Sequence, residues 1–327
     1  MNEQVGRWAR LLVVSIAAIA AVSGAALAQD LTKLRVGKSV TGSVAFSGLE
    51  MGQKTGIWKK HGFDIEILSF GGDAQMQQAL LSNSIDIGYG SGPGMGFAAK
   101  GVPAIAIAAI AGAPLNMALV AAATDDSIKT GEDIKGKRVG VTTQGSLTDW
   151  LARQYSVEMG WGKEGVEIVP AGPMKSRLAA LLNGEIPVSV SSLSSSYDLE
   201  EQGQAKIIAL VGDIVDHFHT HVMFAQKELI EKQPDMLKRY LDAWFEIAAY
   251  MKANRAETVK NIAEVLVISE SAGDKTYDVE MRMLSDDGAF DPRAIELIRE
   301  SFMDLGILDF VPEASEIYTD QFVPVTR

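Results

Sequence analysis

Val139-Gly140-Val141-Thr142-Thr143-Gln144-Gly145-Ser146-Leu147-Thr148-Asp149-Trp150 reads as a short apolar strand, a loop of hydroxyls, an amide and glycine, and then a helix start. The first backbone N–H groups of a helix lack intrahelical partners, and the macrodipole adds partial positive charge there. Such a corner holds an anion or a polar head group without any charged side chain. An ordinary strand-to-helix turn capped by Ser146 has the same local sequence. What favours the functional reading is that the corner occurs twice.

Val36-Gly37-Lys38-Ser39-Val40-Thr41-Gly42 shares the pattern V-G-x-[ST]-x-x-G with Val139 to Gly145, which lies 103 positions further on. Ala79-Leu80-Leu81-Ser82-Asn83-Ser84-Ile85-Asp86-Ile87 matches Ala180-Leu181-Leu182-Asn183-Gly184-Glu185-Ile186-Pro187-Val188 at an offset of 101. Two matches in one order at nearly one spacing mark an internal repeat. Between them, strands alternate with helical patterns: strand 34–38, helix 44–60 stopped by Gly62, strand 63–70, helix 74–82, strand 85–89. That alternation predicts a mainly parallel α/β sheet. Gly90-Ser91-Gly92-Pro93-Gly94 is expected to be a mobile or ligand-fitting loop. In parallel sheets the loops beyond the carboxyl ends of the strands gather at one edge, so two facing lobes would enclose a cleft.

The rest of the chain is helical apart from a strand over 219–225. Residues 228–252 form a long helix interrupted only near Gln233-Pro234, and Leu237, Leu241, Trp244, Phe245, Ala248 and Met251 give it an apolar face. Further helices are expected over 256–267, 278–285 and 293–305. A helical tail of this kind packs most simply on the first lobe, which makes that lobe discontinuous. The expected division is residues 29–114 and 220–327 for lobe 1 and 115–219 for lobe 2. Two crossovers, near 113–119 and 215–221, would then serve as a hinge.

Arg7 and Arg10 precede an apolar run from Leu11 to about Ala21, and Ala26-Leu27-Ala28 suits cleavage before Gln29. Residues 1–28 therefore read as a secretory signal peptide. The later apolar run from Val102 to Ala113 is too short to span a bilayer and reads as buried strand. There is no cysteine, which removes disulfides, thiol nucleophiles, thiolate metal sites and a lipid-bearing N-terminal cysteine together. The chain has 30 basic and 42 acidic residues, and without the leader 28 and 41 remain. That balance argues against nucleic acid or an anionic membrane as partner. A small anion in a closed cleft is still compatible with it, because local dipoles dominate there.

Gly56-Ile57-Trp58-Lys59-Lys60-His61-Gly62-Phe63-Asp64-Ile65-Glu66 resembles the G-[ILF]-[FW]-x-x-x-G-L-x-V-E stretch of an exported family. Ala79 to Gly88, Glu132 to Val141 and Pro234 to Ala243 add three matches in the same order. Over residues 30 to 255 the chain resembles the nitrate/sulfonate/taurine-type substrate-binding proteins of ABC transporters. The resemblance implies an α/β, periplasmic-binding-protein-like (type II) fold: two α/β lobes joined by a two-strand hinge, with a C-terminal helical extension on lobe 1. It also implies ligand contacts from Ser39, Thr41 and Gly42, from Ser91 and Gly92, from Asn116 at the first crossover, and from Gln144, Gly145, Ser146 and Thr148. The family commonly has Gly-x-x-Asp-Ala where this chain has Gly184-Glu185-Ile186-Pro187-Val188. The following loop, with Ser191 and Ser192, is rich in hydroxyls, so the ligand is expected to differ from the best-known sulfonates.

His217, His219 and His221 would share one face of an extended crossover, where they could meet ligand, water or a metal. With no cysteine or carboxylate cluster beside them, His219 is kept as a ligand contact and no metal is expected. Asp125-Asp126, Glu200-Glu201 and Asp286-Asp287 read as solvated faces. No Gly-x-Ser-x-Gly surrounds a candidate serine, and no phosphate-loop Gly-Lys-Ser/Thr follows the glycines of 90–94. The expectation is a monomeric, non-enzymatic, cofactor-free periplasmic protein that delivers a small polar solute, anionic or zwitterionic, to an ABC permease. The alternatives are an enzyme on the same fold, related to synthesis of the thiamine pyrimidine precursor, or a sensor that hands its ligand to a membrane receptor.

Overall fold

The computed structural model describes residues 31–326; the signal-peptide reading of residues 1–28 lies outside them. Among the described residues, ten strands form two five-stranded sheets. The first holds β1 (Thr32–Lys38), β2 (Phe63–Ser69), β3 (Ile87–Ser91), β4 (Ala104–Ala111) and β10 (His221–Gln226), in the order β2-β1-β3-β10-β4. The second holds β5 (Met117–Ala122), β6 (Arg138–Val141), β7 (Glu167–Pro170), β8 (Val188–Ser192) and β9 (Ala205–Leu210), in the order β7-β6-β8-β5-β9. The sheets have one plan. β1 runs parallel to β3 with Val36 opposite Ile87, and β6 runs parallel to β8 with Val139 opposite Val188.

The repeat has a physical cause in both halves. A Cβ on Gly37 would stand 2.5 Å from Ile85 Cδ1, and one on Gly140 would overlap Ile186 Cδ1. Each glycine leaves room for the isoleucine that leads into the neighbouring strand. Both isoleucines are buried, which contributes roughly 1.5–3 kcal/mol each.

The sheets are mixed rather than mainly parallel. β10 is antiparallel to β3 and β4, and β5 is antiparallel to β8 and β9. In each sheet the antiparallel strand is the one by which the chain arrives from the other sheet. Periodicity within a strand carries no record of such an exchange. The fold is thus α/β, with two lobes joined by two crossovers, between Ala111 and Met117 and between Leu210 and His221.

Three helical and loop expectations need correction. The helix expected over 44–60 is broken by Gly56, which is left-handed at φ 73°, into Gly48–Thr55 and Ile57–Lys60. The helix expected over 278–285 starts earlier, at Glu270, with the Ser269 hydroxyl accepting from Ala272 N at 3.0 Å. Residues 90–94 are the buried end of β3 and the start of a short helical turn, Pro93–Met95, rather than a mobile loop, and a Cβ on Gly94 would meet Asp73 Oδ1 at 2.9 Å. The long helix is Pro234–Ala253; its Tyr240 packs on Trp58 and Phe63 and its Trp244 on Tyr89, all in one core beside the first sheet. The tail also reaches the second lobe: Lys163 pairs with Asp304 at 2.5 Å, and Lys275 pairs with Glu201 at 2.6 Å.

Candidate functional site

The corner after β6 is a relay of hydroxyls. Ser146 caps helix Leu147–Glu158, its Oγ accepting from Asp149 N at 3.4 Å. Thr148 Oγ1 accepts from Thr142 N at 2.8 Å and donates to Thr142 Oγ1 at 3.1 Å. Thr142 Oγ1 also accepts from Arg177 Nη1 at 2.7 Å. Arg177 belongs to the first turn of helix Met174–Leu182 and donates further to Gly172 O at 2.9 Å and Val190 O at 3.1 Å.

Arg177 is 2% exposed, its Nε has no partner, and no described carboxylate pairs with it. Burial lowers its pKa to about 10, so at neutral pH the guanidinium is still a cation. Burying an uncompensated cation costs several kcal/mol. The helix N-terminus beside it carries no acidic residue in its first turn and adds positive potential. This corner lacks one negative charge.

The opposite corner already contains its carboxylate. Asp73 opens helix Asp73–Leu81 and accepts from Ser91 N at 2.9 Å and from Ser91 Oγ at 2.7 Å. Burial raises its pKa, while the hydrogen bonds from Ser91 and Ser39 pull the other way. Ser43 Oγ lies 2.9 Å from His221 Nε2. Burial takes that imidazole down to about 4, so it is neutral at pH 7 and cannot serve as a second cation.

Both corners line one cavity of about 70 Å³. At roughly 10–15 Å³ per water, that is room for a handful of waters or one small polyatomic ion. Of the residues expected at the site, Ser39, Gly42, Ser91, Asn116, Ser146, Thr148 and Ser192 line the cavity. Thr41 and Gln144 are exposed and outside it. Gly92 backs onto His219 O, Gly145 faces Ile307, and Ser191 bonds Ser189 Oγ at 3.3 Å within β8. His219 accepts from Asp291 N at 3.0 Å and packs edge-on against Phe290.

The three histidines do not share a face. His217 Nδ1 stands 3.2 Å from Asp291 Oδ2, His219 points into the tail, and only His221 reaches the cavity. Residues 217–219 are not in a strand, so the alternation that would align them is absent. Among the described residues, no group of three His, Cys, Asp or Glu could hold a metal.

Sequence reasoning did not select Ser43, Asp73 or Arg177; it raised His221 only together with His217 and His219, and Thr142 only as one hydroxyl of the loop after the strand. A usable signal was present. Carried one turn outward, the repeat sets Gly71-Gly72-Asp73 opposite Gly172-Pro173-Met174, again 101 positions apart, and so marks both inward-pointing helix starts.

A cavity between two α/β lobes, at the carboxyl ends of β1, β3, β6 and β8, defines a periplasmic-binding-protein-like (type II) fold. The family model described as NMT1/THI5 like matches residues 43–258, and the chain belongs to that family. Among solved structures, the alkanesulfonate-binding protein SsuA from Xanthomonas axonopodis pv. citri, bound to MOPS, superposes with TM-score 0.74. It shares 15% identity over 88% of this chain and 98% of that one. The aliphatic sulphonate binding protein SsuA from Escherichia coli gives 0.70 at 17% identity over 90% and 94%. The nitrate-binding protein NrtA from Synechocystis gives 0.64 at 15% over 74% and 69%. A Brucella abortus relative, named as a binding protein without a stated ligand, is 25% identical over 221 residues. That match spans 66% of this chain and 66% of the relative's length, just under two thirds of it.

Proposed function

We propose that this chain is the extracytoplasmic solute-binding component of an ABC importer, and that it holds a small anionic or zwitterionic solute between its lobes. One observation carries the reading: the buried Arg177, with an unpartnered Nε and no carboxylate paired with it, lines a cavity shared by both lobes. The solute's anionic group completes the ion pair on Arg177, and its remaining polar atoms meet Ser39, Ser91, Asn116, Ser146, Thr148 and Ser192. Residues 29–114 with 220–327 form one jaw and residues 115–219 the other. Contacts to both jaws favour the closed state over the open one. The likeness to proteins that bind alkanesulfonate and nitrate supports an anionic solute, since both ligands carry one. A periplasmic location, the signal peptide cleaved after Ala28, a permease partner and a monomeric state belong to the same reading.

A thermal-shift screen of the purified protein with nitrate, methanesulfonate, taurine and aromatic carboxylates tests it, because a ligand that binds only the folded state raises Tm. Each hit is then titrated against Arg177→Gln. A lost charge-assisted bond of about 1.5–3 kcal/mol lowers affinity roughly 10- to 150-fold. Unchanged affinity in the variant removes the site assignment, and turnover of a hit removes the transport reading in favour of an enzyme.

A further inference from the structure

Glu280 is a further buried charge-bearing group beside the cavity, and the relay described above does not use it. It stands in helix Glu270–Met283 and is 3% exposed. Asn116 Nδ2 donates to its Oε1 at 2.8 Å. Asn116 is itself 4% exposed, lines the cavity, and has a buried Oδ1 with no partner. An amide has a donor end and an acceptor end. One N–H of the donor end is held by Glu280, and the acceptor Oδ1, buried beside the cavity, is the end with no partner.

That arrangement conflicts with an anionic occupant. An anion offers only acceptors, so it gains nothing from Asn116 Oδ1, and an ionised Glu280 one residue behind repels it. A protonated Glu280 removes both obstacles. Its hydroxyl can donate to Asn116 Oδ1, which turns the amide and presents Nδ2 to the cleft. We infer that Glu280 is the positioning residue of the site: its proton sets which end of the Asn116 amide faces the ligand, so that binding an anion to the form with Glu280 ionised takes up one proton there. This rests on the anion reading given above.

The surroundings isolate the Glu280–Asn116 pair. On the same helix, Asp274 and Asp278 are paired with Arg255 of the neighbouring helix Arg255–Leu266. Lys275 is paired with Glu201 of helix Leu193–Glu201, and Asp198 of that helix accepts from Ser269 N. Among the described residues, none of these charges bonds to Glu280, and Asn116 is the hydrogen bond that bears on it. Burial lifts the carboxyl to about 7, with the Asn116 bond opposing, so the proton is exchangeable near neutral pH. Within the cavity, Arg177 keeps its proton below about 10 and His221 stays neutral above about 4. Asp73 has a raised pKa and is the carboxyl that itself lines the cavity, so Glu280→Gln is the control that separates the two.

Two measurements on the full mature protein test the inference. The first follows the Asn116 side-chain amide by ¹⁵N NMR without ligand, from about pH 5.5 to 8.5, a range that brackets the Glu280 carboxyl. The expected result is one titration with a midpoint at about 7, absent in Glu280→Gln, and a flat amide signal in the wild type overturns the inference without relying on any variant. The second measures affinity for nitrate, sulfate and methanesulfonate against pH. The wild-type affinity should be level below about pH 7 and fall by up to about tenfold per pH unit above it, while Glu280→Gln stays level throughout. An Arg177-dependent affinity that does not vary with pH overturns the role of Glu280 and leaves the anion site standing. If none of the three anions binds at either end of the range, the anion reading fails and the proton uptake fails with it.

Discussion

Arg177 Nη1 donates to Thr142 Oγ1 at 2.7 Å, and this bond joins the helix that carries the unpaired charge to the strand end that opens the second-lobe corner. Thr142 Oγ1 is the hub: it also receives the Thr148 hydroxyl, which in turn lies 3.0 Å from Ser146 Oγ. Of the serines and threonines of the corner, Thr142 is the one that holds the cation, while Ser146 and Thr148 line the cavity beside it.

Thr142→Val keeps the shape of the side chain and removes the hub. It leaves a buried guanidinium N–H with one partner fewer, a loss of about 1–3 kcal/mol of stability. Chemical denaturation measures that loss, and titration with any anion found to bind should show a roughly tenfold weaker Kd. An unchanged Kd with reduced stability would mean that Arg177 finds its own orientation.

A carboxyl, Asp73, and a guanidinium, Arg177, face one cavity, and burial raises the pKa of Asp73 while the hydrogen bonds from Ser91 and Ser39 oppose it. An ionised Asp73 would repel a monoanion in the same low-dielectric space, so Asp73→Asn should raise the affinity of a monoanion several-fold. It should weaken a zwitterion whose cation needs that carboxylate. Comparing methanesulfonate with taurine in wild type and variant separates the two classes. Equal changes for both would show that Asp73 serves only to hold Ser91.

How far this site can be read from the chain depends on which interactions are local. The repeat is legible because Gly37 with Ile85 and Gly140 with Ile186 leave the same short pattern in each half. The corner at Ser146 is legible because a helix cap is written within a few neighbouring residues. Arg177 is not, since Lys175-Ser176-Arg177 reads as a solvated helix face, and in the fold Lys175 and Ser176 are indeed exposed while Arg177 alone of the three is buried. Glu280 hides in the same way between Asp278 and Arg282. Helix Glu270–Met283 is itself obscured by Gly273, which interrupts the helical pattern although a Cβ there would make only ordinary contacts with Val259 and Ile262 of the neighbouring helix.

Stability against pH follows from buried groups that act in opposite senses. Burial holds His219 and His221 at about 4, and unfolded histidine titrates near 6.5. The unfolded chain binds the extra protons between those values, so this contribution is lost as pH falls from about 6.5 to about 4. Glu280 is raised to about 7 from an ordinary 4.5, so the folded state holds the extra proton across that window and stability declines as pH rises through it. Glu280→Gln should match wild type near about pH 4.5 and exceed it by about 3 kcal/mol at about pH 8. Denaturation midpoints from about pH 4 to 8 give both slopes, and parallel curves for the two proteins would place the Glu280 proton elsewhere.

The two glycine positions make a quantitative test of the repeat. A Cβ at position 140 overlaps Ile186 Cδ1, while the next atoms, Val188 O and Ile186 Cγ1, stand at 3.5 and 3.6 Å. The obstruction is therefore one methyl group. Gly140→Ala should cost about 1–3 kcal/mol as an overpacked core, and Ile186→Val about 0.5–1.5 kcal/mol as a lost methyl. Combined, the methyl added at position 140 occupies the space vacated by the methyl removed at position 186. The double variant should then cost clearly less than the two single changes together, a coupling of about 1 kcal/mol or more. The same cycle with Gly37→Ala and Ile85→Val should behave alike, because Ile85 Cδ1 lies 2.5 Å from the Cβ site and Ile85 Cγ2 at 3.5 Å. Phe70 Cε2, at 2.9 Å, is an extra obstacle there, so the first-lobe pair should recover less. Additive costs in both lobes would mean that the glycines are kept for the backbone rather than for the isoleucine beside them.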